Sequence, residues 1–219
     1  MVTADFLRTV PFFSGFTDEA LAEVAAASTT RSYHRGDIVF TETDPADALF
    51  ITVSGRIAIG NRSADGRESV LDLMDPGDLF GEMAMFDDRG RSAGARALES
   101  SEVIRVPFGP VKVHFETHAK ALWSVITLVM DRLRSANEAI ADSVFLDVTG
   151  RTAKRLLEIA GSHDEFSLPI TQEELASMIG ASRERVNKAI AAFIRLGWLE
   201  QRDRTYRIVD RKRLTNRST

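Results

Sequence analysis

Between Tyr33 and about Pro107 the chain alternates short apolar runs with turn residues. The runs DIVF, ALFITVSG, RIAIGN, ESVLDLM and EVIRV are rich in β-branched and aromatic residues, and turn signals separate them at Gly36, Asp44-Pro45, Gly55, Asp65-Gly66 and Pro76-Gly77-Asp78. Spacing that regular predicts an antiparallel sandwich or barrel. Ahead of it, TDEALAEVAAAS predicts a short amphipathic helix capped by Thr17 or Asp18. The RGD at Arg35 to Asp37 reads as a turn before a strand.

The pattern then changes period. From Ala119 to Val144 there is no Gly or Pro, and apolar residues recur at Leu122, Ile126, Val129, Leu133, Ala136 and Ile140. Steps of four and three are the seam of a coiled coil. Val125, Leu128 and Arg132 form a second stripe able to pack on the helix's own domain. The seam is then left for a symmetry mate, and a parallel two-fold homodimer is expected.

A third zone opens at DVTGRTAKRLLEIAG, where Asp147 or Thr149 can cap a helix that Gly161 ends. In ITQEELASMIGASRERVNKAIAAFIRLGWLE, Thr171-x-x-Glu174 is a capping box, Gly180 stops that helix, and Ser182 caps another closed by Gly197. This is a helix-turn-helix pattern, with small Ala176 at the crossing, a left-handed turn available at Gly180, and Val186, Ile190 and Phe193 facing inward. Arg183, Glu184, Asn187 and Lys188 then point outward from the first turns, where a recognition helix meets base edges. Arg and Lys can donate to guanine and Glu184 can accept from cytosine; a solvated face with a Glu184–Lys188 pair is the plainer alternative. Arg202, Arg204 and Arg207 on the following QRDRTYRIV ribbon are suited to phosphate contacts.

Charge sharpens the division. The whole chain carries 28 Lys+Arg and 32 Asp+Glu. Residues 151–219 hold 14 of the basic and 9 of the acidic residues, a balance of +5; the remaining 14 and 23 give −9. An acidic part joined to a basic one suggests that only the C-terminal part meets a polyanion. There is no cysteine, so disulfides, thiolate nucleophiles and cysteine-ligated clusters are excluded. There is no run of ~18 apolar residues, and MVTADFLRTVPFF lacks the features of a signal peptide, so a cytoplasmic protein with no membrane partner is expected. Only the last residues, TNRST, suggest disorder. No nucleophile–base pairing suggests an enzyme, HFETH (114–118) lacks the glutamate of the zinc-protease pattern, and no metal is expected.

The window GEMAMFDDRGRSAGARA, Gly81 to Ala97, places a carboxylate and a guanidinium close together. GEMAMF suits one turn of helix, whose N-terminus can face an anion. Arg91 and Ser92 can return across the DDRG turn as a fork of donors for a phosphate, and Glu82 can accept from a ribose hydroxyl. A surface pair between Arg91 and Glu82 fits the same residues.

Three of these stretches, FGEMAMF...RSA, FLDVTGR and ITQEELASMIGASRERVNK, resemble in order and spacing the phosphate cassette, hinge and winged helix-turn-helix of the cyclic-AMP receptor protein (CRP/FNR) family of bacterial transcription regulators. The resemblance spans nearly the whole chain. It implies an α+β architecture: an antiparallel β-roll (a cyclic-nucleotide-binding jelly roll) over 1–118, a dimerisation helix over 119–146 and a winged helix-turn-helix over 147–219. It further implies a dimeric, sequence-specific regulator controlled by cyclic AMP held between roll and helix. By motif position Gly81 and Glu82 hold the ribose and Arg91 and Ser92 the cyclic phosphate, with Met83 and Ala93 as further nucleotide-binding positions. Arg132 reaches in from the helix, and Ala136 and Asn137 stand at the base. The DNA-contacting positions fall on Thr171, Ser182, Arg183, Glu184, Arg185, Asn187 and Lys188, with Arg202 and Arg204 on the ribbon. Implied partners are palindromic double-stranded DNA of TGTGA type and RNA polymerase.

Two departures stand out. Ala136-Asn137 replaces a Thr-Ser pair that contacts adenine in cyclic-AMP-responsive members, so weaker cyclic-AMP control is expected. Arg185 replaces a small residue or Thr. A same-family regulator that binds DNA without effector, or answers to another nucleotide such as cyclic GMP, is the alternative.

Overall fold

The computed structural model describes residues 2–62, 68–87, 89–203 and 205–219. The chain divides into two units, Met1–Arg67 with Leu71–Arg134, and Glu68–Val70 with Ser135–Thr219. No helix among the described residues is long and apolar enough to cross a membrane.

In the first unit Thr3 caps α1 (Ala4–Thr9), a 3-10 turn at Pro11–Phe13 follows, and Thr17 caps α2 (Asp18–Ala27) by accepting from the Ala20 amide. Of the two expected caps, Thr17 is the one used. The strands are β1 (Thr29–Tyr33), β2 (Ile38–Phe40), β3 (Ala48–Ser54), β4 (Ile57–Arg62), β5 (Glu68–Met74) and β6 (Leu79–Phe80); then come α3 (Met83–Asp87), β7 (Gly94–Ala97) and β8 (Ser101–Pro107). Helix α4 (Phe108–Thr117) and a 3-10 turn at Ala119–Ala121 lead into α5 (Leu122–Phe145). The strands pair in two four-stranded sheets, ordered β1-β8-β3-β6 and β2-β7-β4-β5. The antiparallel sandwich read from the apolar runs is therefore present, with the turn expected at Asp65-Gly66 lying outside the described residues.

Strand β3 shows how one strand serves two apolar clusters. Its first five residues are all buried. Leu49 and Ile51 join a cluster with Leu7, Leu21, Val111 and Phe115 of the helices, whereas Phe50 packs with Phe80, Val103 and Ala95 between the sheets. Successive side chains point to opposite faces, and here both faces are covered.

Elements that the apolar pattern did not reveal have physical reasons for being silent. Strand β1 (TTRSY) is exposed along most of its length and adds only backbone pairing to β8, from Thr29 opposite Arg105 to Tyr33 opposite Ser101. Helix α4 carries Gly109 and Pro110, but they fall in its first turn, where a missing amide costs nothing. Its Phe108, Val111, His114 and Phe115 are buried.

Along α5 the two stripes separate as expected. Val125 is buried and Leu128 packs against the helical cluster, while Ile126, Val129, Leu133 and Ile140 are 45%, 50%, 50% and 63% exposed.

The second unit contains α6 (Val148–Ala160), β9 (Glu165–Ser167), α7 (Gln172–Ile179), α8 (Arg183–Arg195), β10 (Leu199–Arg202), β11 (Thr205–Ile208) and α9 (Arg211–Arg217). The strands form one sheet in the order β10-β11-β9. Asp147, rather than Thr149, caps α6 by accepting from the Gly150 amide at 2.8 Å. The expectation of a disordered TNRST tail is overturned. Asp210 caps α9 through the Arg213 amide, Leu214 is fully buried, and Arg211 and Arg217 pair with Asp164 and Asp147, so the polar tail is held in place.

One turn tolerates no side chain. Gly55 lies at φ +75°, and a Cβ there would meet the Ser101 Oγ at 2.3 Å and the Ser100 carbonyl oxygen at 2.5 Å. We expect Gly55→Ala to destabilise the β-roll by more than ~1 kcal/mol, read as a lower urea midpoint for the N-terminal unit; an unchanged midpoint would refute the clash.

Candidate ligand site and nucleic-acid interface

The window from Gly81 to Ala97 folds around a buried guanidinium. Strand β6 ends at Phe80, Gly81 takes φ +76°, and α3 follows. The chain returns so that the Arg91 amide donates to the Asp44 carbonyl at 3.0 Å and the Thr43 amide to the Arg91 carbonyl at 2.9 Å. Asp44 steadies that loop by accepting from the Thr41 amide at 2.8 Å, a bond that also holds its carboxyl below the usual range. Gly90 must be small, since a Cβ would lie 2.7 Å from the Thr43 carbonyl oxygen.

Placed this way, Arg91 is only 6% exposed. It donates from Nη1 to the Gly81 carbonyl at 2.6 Å and from Nη2 to the Ala48 carbonyl at 2.7 Å. Its guanidinium lies 4.2 Å from the Phe40 ring centroid and 5.3 Å from that of Phe50, within cation–π range. A Cβ at Gly81 would come within 2.7 Å of Nη1, so this position requires glycine twice over. Burial pushes the Arg91 pKa down, and the Asp47 carboxylate opposes it. The Nε atom is buried without a partner.

Glu82 is 5% exposed. Its Oε1 accepts from Arg132 Nη1, while Oε2 is buried and unpartnered. Arg132, on the part of α5 that belongs to this unit, also donates from Nη2 to the Leu79 carbonyl at 3.0 Å. The surface pair between Arg91 and Glu82 does not form: each is buried and has its own partner. Ala93 is buried, Ser92 and Met83 are exposed, and the Ser92 Oγ sits 3.5 Å from the Met83 sulfur. Ala136 and Asn137 are exposed on the part of α5 that belongs to the second unit. Sequence reasoning missed Phe40, Phe50, Asp44 and the Ala48 carbonyl. The aromatic residues were visible only as strand formers, and a backbone carbonyl leaves no trace in residue type.

The histidine pair has a structural role. His114 is buried between Phe16 (4.1 Å between centroids) and His118 (4.5 Å), with Nε2 3.3 Å from the Gly15 carbonyl. Among the described residues no group of three or more His, Asp or Glu could hold a metal ion.

In the second unit the Thr171 hydroxyl accepts from the Glu174 amide at 3.2 Å, and the Glu174 carboxylate accepts from the Thr171 amide at 2.6 Å, completing the capping box. Gly180 is left-handed at φ 68°, and the Ser182 hydroxyl accepts from the Arg185 amide at 3.4 Å to start α8. Ala176, Val186, Ile190 and Phe193 are buried, while Arg183, Glu184, Arg185 and Lys188 are exposed. Asn187 is half-buried, with its Oδ1 unpartnered.

Glu184 accepts from Lys188 at 2.7 Å, which lowers its carboxyl pKa. The recognition-helix geometry and the plainer ion pair thus coexist. On the ribbon Arg202 is exposed, Arg204 lies outside the described residues, and Arg207 pairs with Glu200 at 2.9 Å.

Residues 30–118 match the cyclic nucleotide-binding domain, and residues 150–217 match the Crp-like helix-turn-helix domain. Over 221 residues the chain is 34% identical to the CRP-like cAMP-activated global transcriptional regulator of Mycobacterium tuberculosis, covering 98% of this chain and 99% of that protein. This chain belongs to the CRP/FNR family of transcription regulators.

Another CRP/FNR relative, the cAMP-activated global transcriptional regulator Vfr of Pseudomonas aeruginosa, is 29% identical over 185 residues, covering 80% of this chain and 86% of Vfr. The structure of FixK2 from Bradyrhizobium japonicum aligns with a TM-score of 0.79 at 21% identity, over 88% of this chain and 98% of FixK2. That likeness supports the CRP/FNR fold alone.

The contact between Glu82 and Arg132 ties the cassette to α5 without any ligand. We expect a double-mutant cycle of Glu82→Gln and Arg132→Met, measured by urea unfolding of nucleotide-free protein, to give a coupling of about 1–3 kcal/mol. Additive effects would show the two side chains to be independent.

Proposed function

We propose that the chain is a homodimeric, DNA-binding transcription regulator whose affinity for a palindromic site is set by cyclic AMP. Two buried polar atoms without protein partners, Arg91 Nε and Glu82 Oε2, carry this reading. A donor and an acceptor buried a few residues apart in the cyclic-nucleotide-binding domain suit a ligand that brings both an anion and a hydroxyl. A cyclic phosphate is that anion and a ribose 2′-hydroxyl that donor. Burial makes each charge-assisted bond stronger than it would be in water.

In the roles assigned here, Arg91 and Ser92 hold the phosphate and Glu82 the ribose, with the Gly81, Met83 and Ala93 backbone shaping the cradle. Arg132, Ala136 and Asn137 line the helix side. The exposed heptad stripe of α5 supports dimerisation. The exposed first turns of α8, Arg183 to Lys188, support base reading of a TGTGA-type half-site, with the Thr171 and Ser182 caps and Arg202 and Arg204 at phosphates. RNA polymerase is the further partner this reading implies.

Coupling requires the nucleotide to favour one dimer geometry, since equal affinity for both would shift nothing. A second reading, effector-independent binding or response to another nucleotide, is favoured by Ala136, which offers no hydroxyl where a base would be read.

Titration of cyclic AMP and cyclic GMP into the purified protein, with DNA affinity measured alongside each, separates the two readings. Tighter palindrome binding with cyclic AMP supports the first; tight binding that ignores both supports the second; no palindrome binding removes both. In the same assay Arg91→Ala should abolish cyclic-AMP binding while sedimentation still shows a dimer. Unaltered nucleotide affinity in that variant would overturn the pocket assignment. Ala136→Thr should tighten cyclic AMP by about fivefold, the equivalent of one hydrogen bond of ~1 kcal/mol.

A further inference from the structure

The link between α5 and α6 is only Leu146 and Asp147, and Asp147 is extended at φ −71°, ψ 174°. Backbone alone leaves such a link free to swivel about its φ and ψ angles. In this chain charged side chains cross it from three directions, all within the second unit. Lys154 of α6 pairs with Asp142 in the last turns of α5 at 2.5 Å, with both side chains about three-quarters buried. Arg151 donates to the Leu146 carbonyl at 2.7 Å and to the Ile179 carbonyl at 2.9 Å, joining the link to the end of α7. Arg217, in the last turn of α9, places its guanidinium on the Asp147 carboxylate.

The Arg217 contact is built into the packing. A Cβ on the buried Gly150 would lie 3.1 Å from both Arg217 Nη1 and the Arg217 carbonyl oxygen, so α9 approaches α6 closely at this point. Leu214, fully buried, anchors α9 one turn earlier. The Asp147 carboxylate therefore has two roles, capping α6 through the Gly150 amide and receiving Arg217.

We propose that the C-terminal helix is a strap on the hinge, with Arg217 and Lys154 as positioning residues that fix the angle at which α6 leaves α5. The inference rests on the proposed function for its consequence. A palindrome needs both recognition helices in one register about one DNA turn apart, whereas non-specific binding needs no fixed geometry. A loosened hinge lowers the competent fraction, and apparent affinity for the palindrome falls in proportion. Affinity for random DNA stays the same.

The test uses full-length protein with cyclic AMP. It compares affinity for the palindrome with affinity for a random duplex of equal length in Arg217→Ala, Arg217→Lys, Lys154→Asp and the swap Asp142→Lys/Lys154→Asp. We expect Arg217→Ala and Lys154→Asp each to lower the palindrome-to-random ratio about threefold to fivefold, as for a part-buried charge pair. Arg217→Lys and the swap should recover most of it. An unaltered ratio in folded variants overturns the proposal. So does an equal loss on both DNAs that the swap does not rescue, because that is the signature of simple destabilisation.

Amide exchange across 142–152 needs neither DNA nor nucleotide. It should quicken about fivefold in Arg217→Ala, and unchanged exchange sinks the strap even if the wild type prefers the palindrome. A wild type with no palindrome preference would sink the functional reading alone, leaving exchange to decide the strap.

Discussion

A guanidinium in the interior of a β-roll is the constraint around which the N-terminal unit is arranged. Taking a charge out of water costs several kcal/mol unless its donors are met. Two main-chain carbonyls and two aromatic faces meet most of that cost for Arg91. The demands spread from there. Gly81 must have no side chain because Nη1 occupies the space. Gly90 must have none because the Thr43 carbonyl closes on it. Asp44 must hold the loop that positions Arg91. What remains unmet, Nε here and Oε2 on Glu82, is what an anionic ligand with a hydroxyl can satisfy.

The second constraint is the division of labour along α5. One stripe is consumed by the N-terminal core through Val125 and Leu128. The other leaves large apolar side chains in solvent at heptad spacing, a surface whose natural cover is a second copy of the same helix. Arg132 belongs to the core-facing stripe, yet its partner is the cassette glutamate. A ligand hydroxyl on the free Oε2 therefore shares one carboxylate with Arg132, which holds Oε1 from the dimerisation helix. In the proposed function, that shared carboxylate gives nucleotide binding a mechanical consequence beyond filling a cavity.

Much of this was legible in residue patterns. Short apolar runs between turn signals marked the central strands, heptads marked α5, and Thr171, Gly180 and Ser182 marked the turn of the helix-turn-helix. These signals work because each reports a local requirement, a buried face, a cap or a left-handed residue, that holds whatever the rest of the chain does. The silent elements were those whose reason is non-local. Strand β1 is a strand because β8 offers it an edge. The tail helix α9 exists because Leu214 finds a core. Arg91 reads as a phosphate ligand from its spacing, but its bond to Ala48, 43 residues earlier, could be known only from the fold.

Charge counting was the reading most altered by the structure. The +5 balance of residues 151–219 suggests a broadly basic surface, yet Lys154, Arg207, Arg211, Arg213 and Arg217 each sit on a carboxylate of their own unit. Those cations serve the architecture: one braces the ribbon, two hold the tail helix and two cross the hinge. Arg183, Arg185 and Arg202 remain exposed beside the turn and ribbon. In the proposed function, cations committed to the architecture contribute less to affinity that is indifferent to sequence, which comes from phosphates neutralised and counterions released. A protein built this way must draw more of its discrimination from base contacts and from the fixed spacing of its two heads. That is the setting in which a rigid, side-chain-braced hinge matters most.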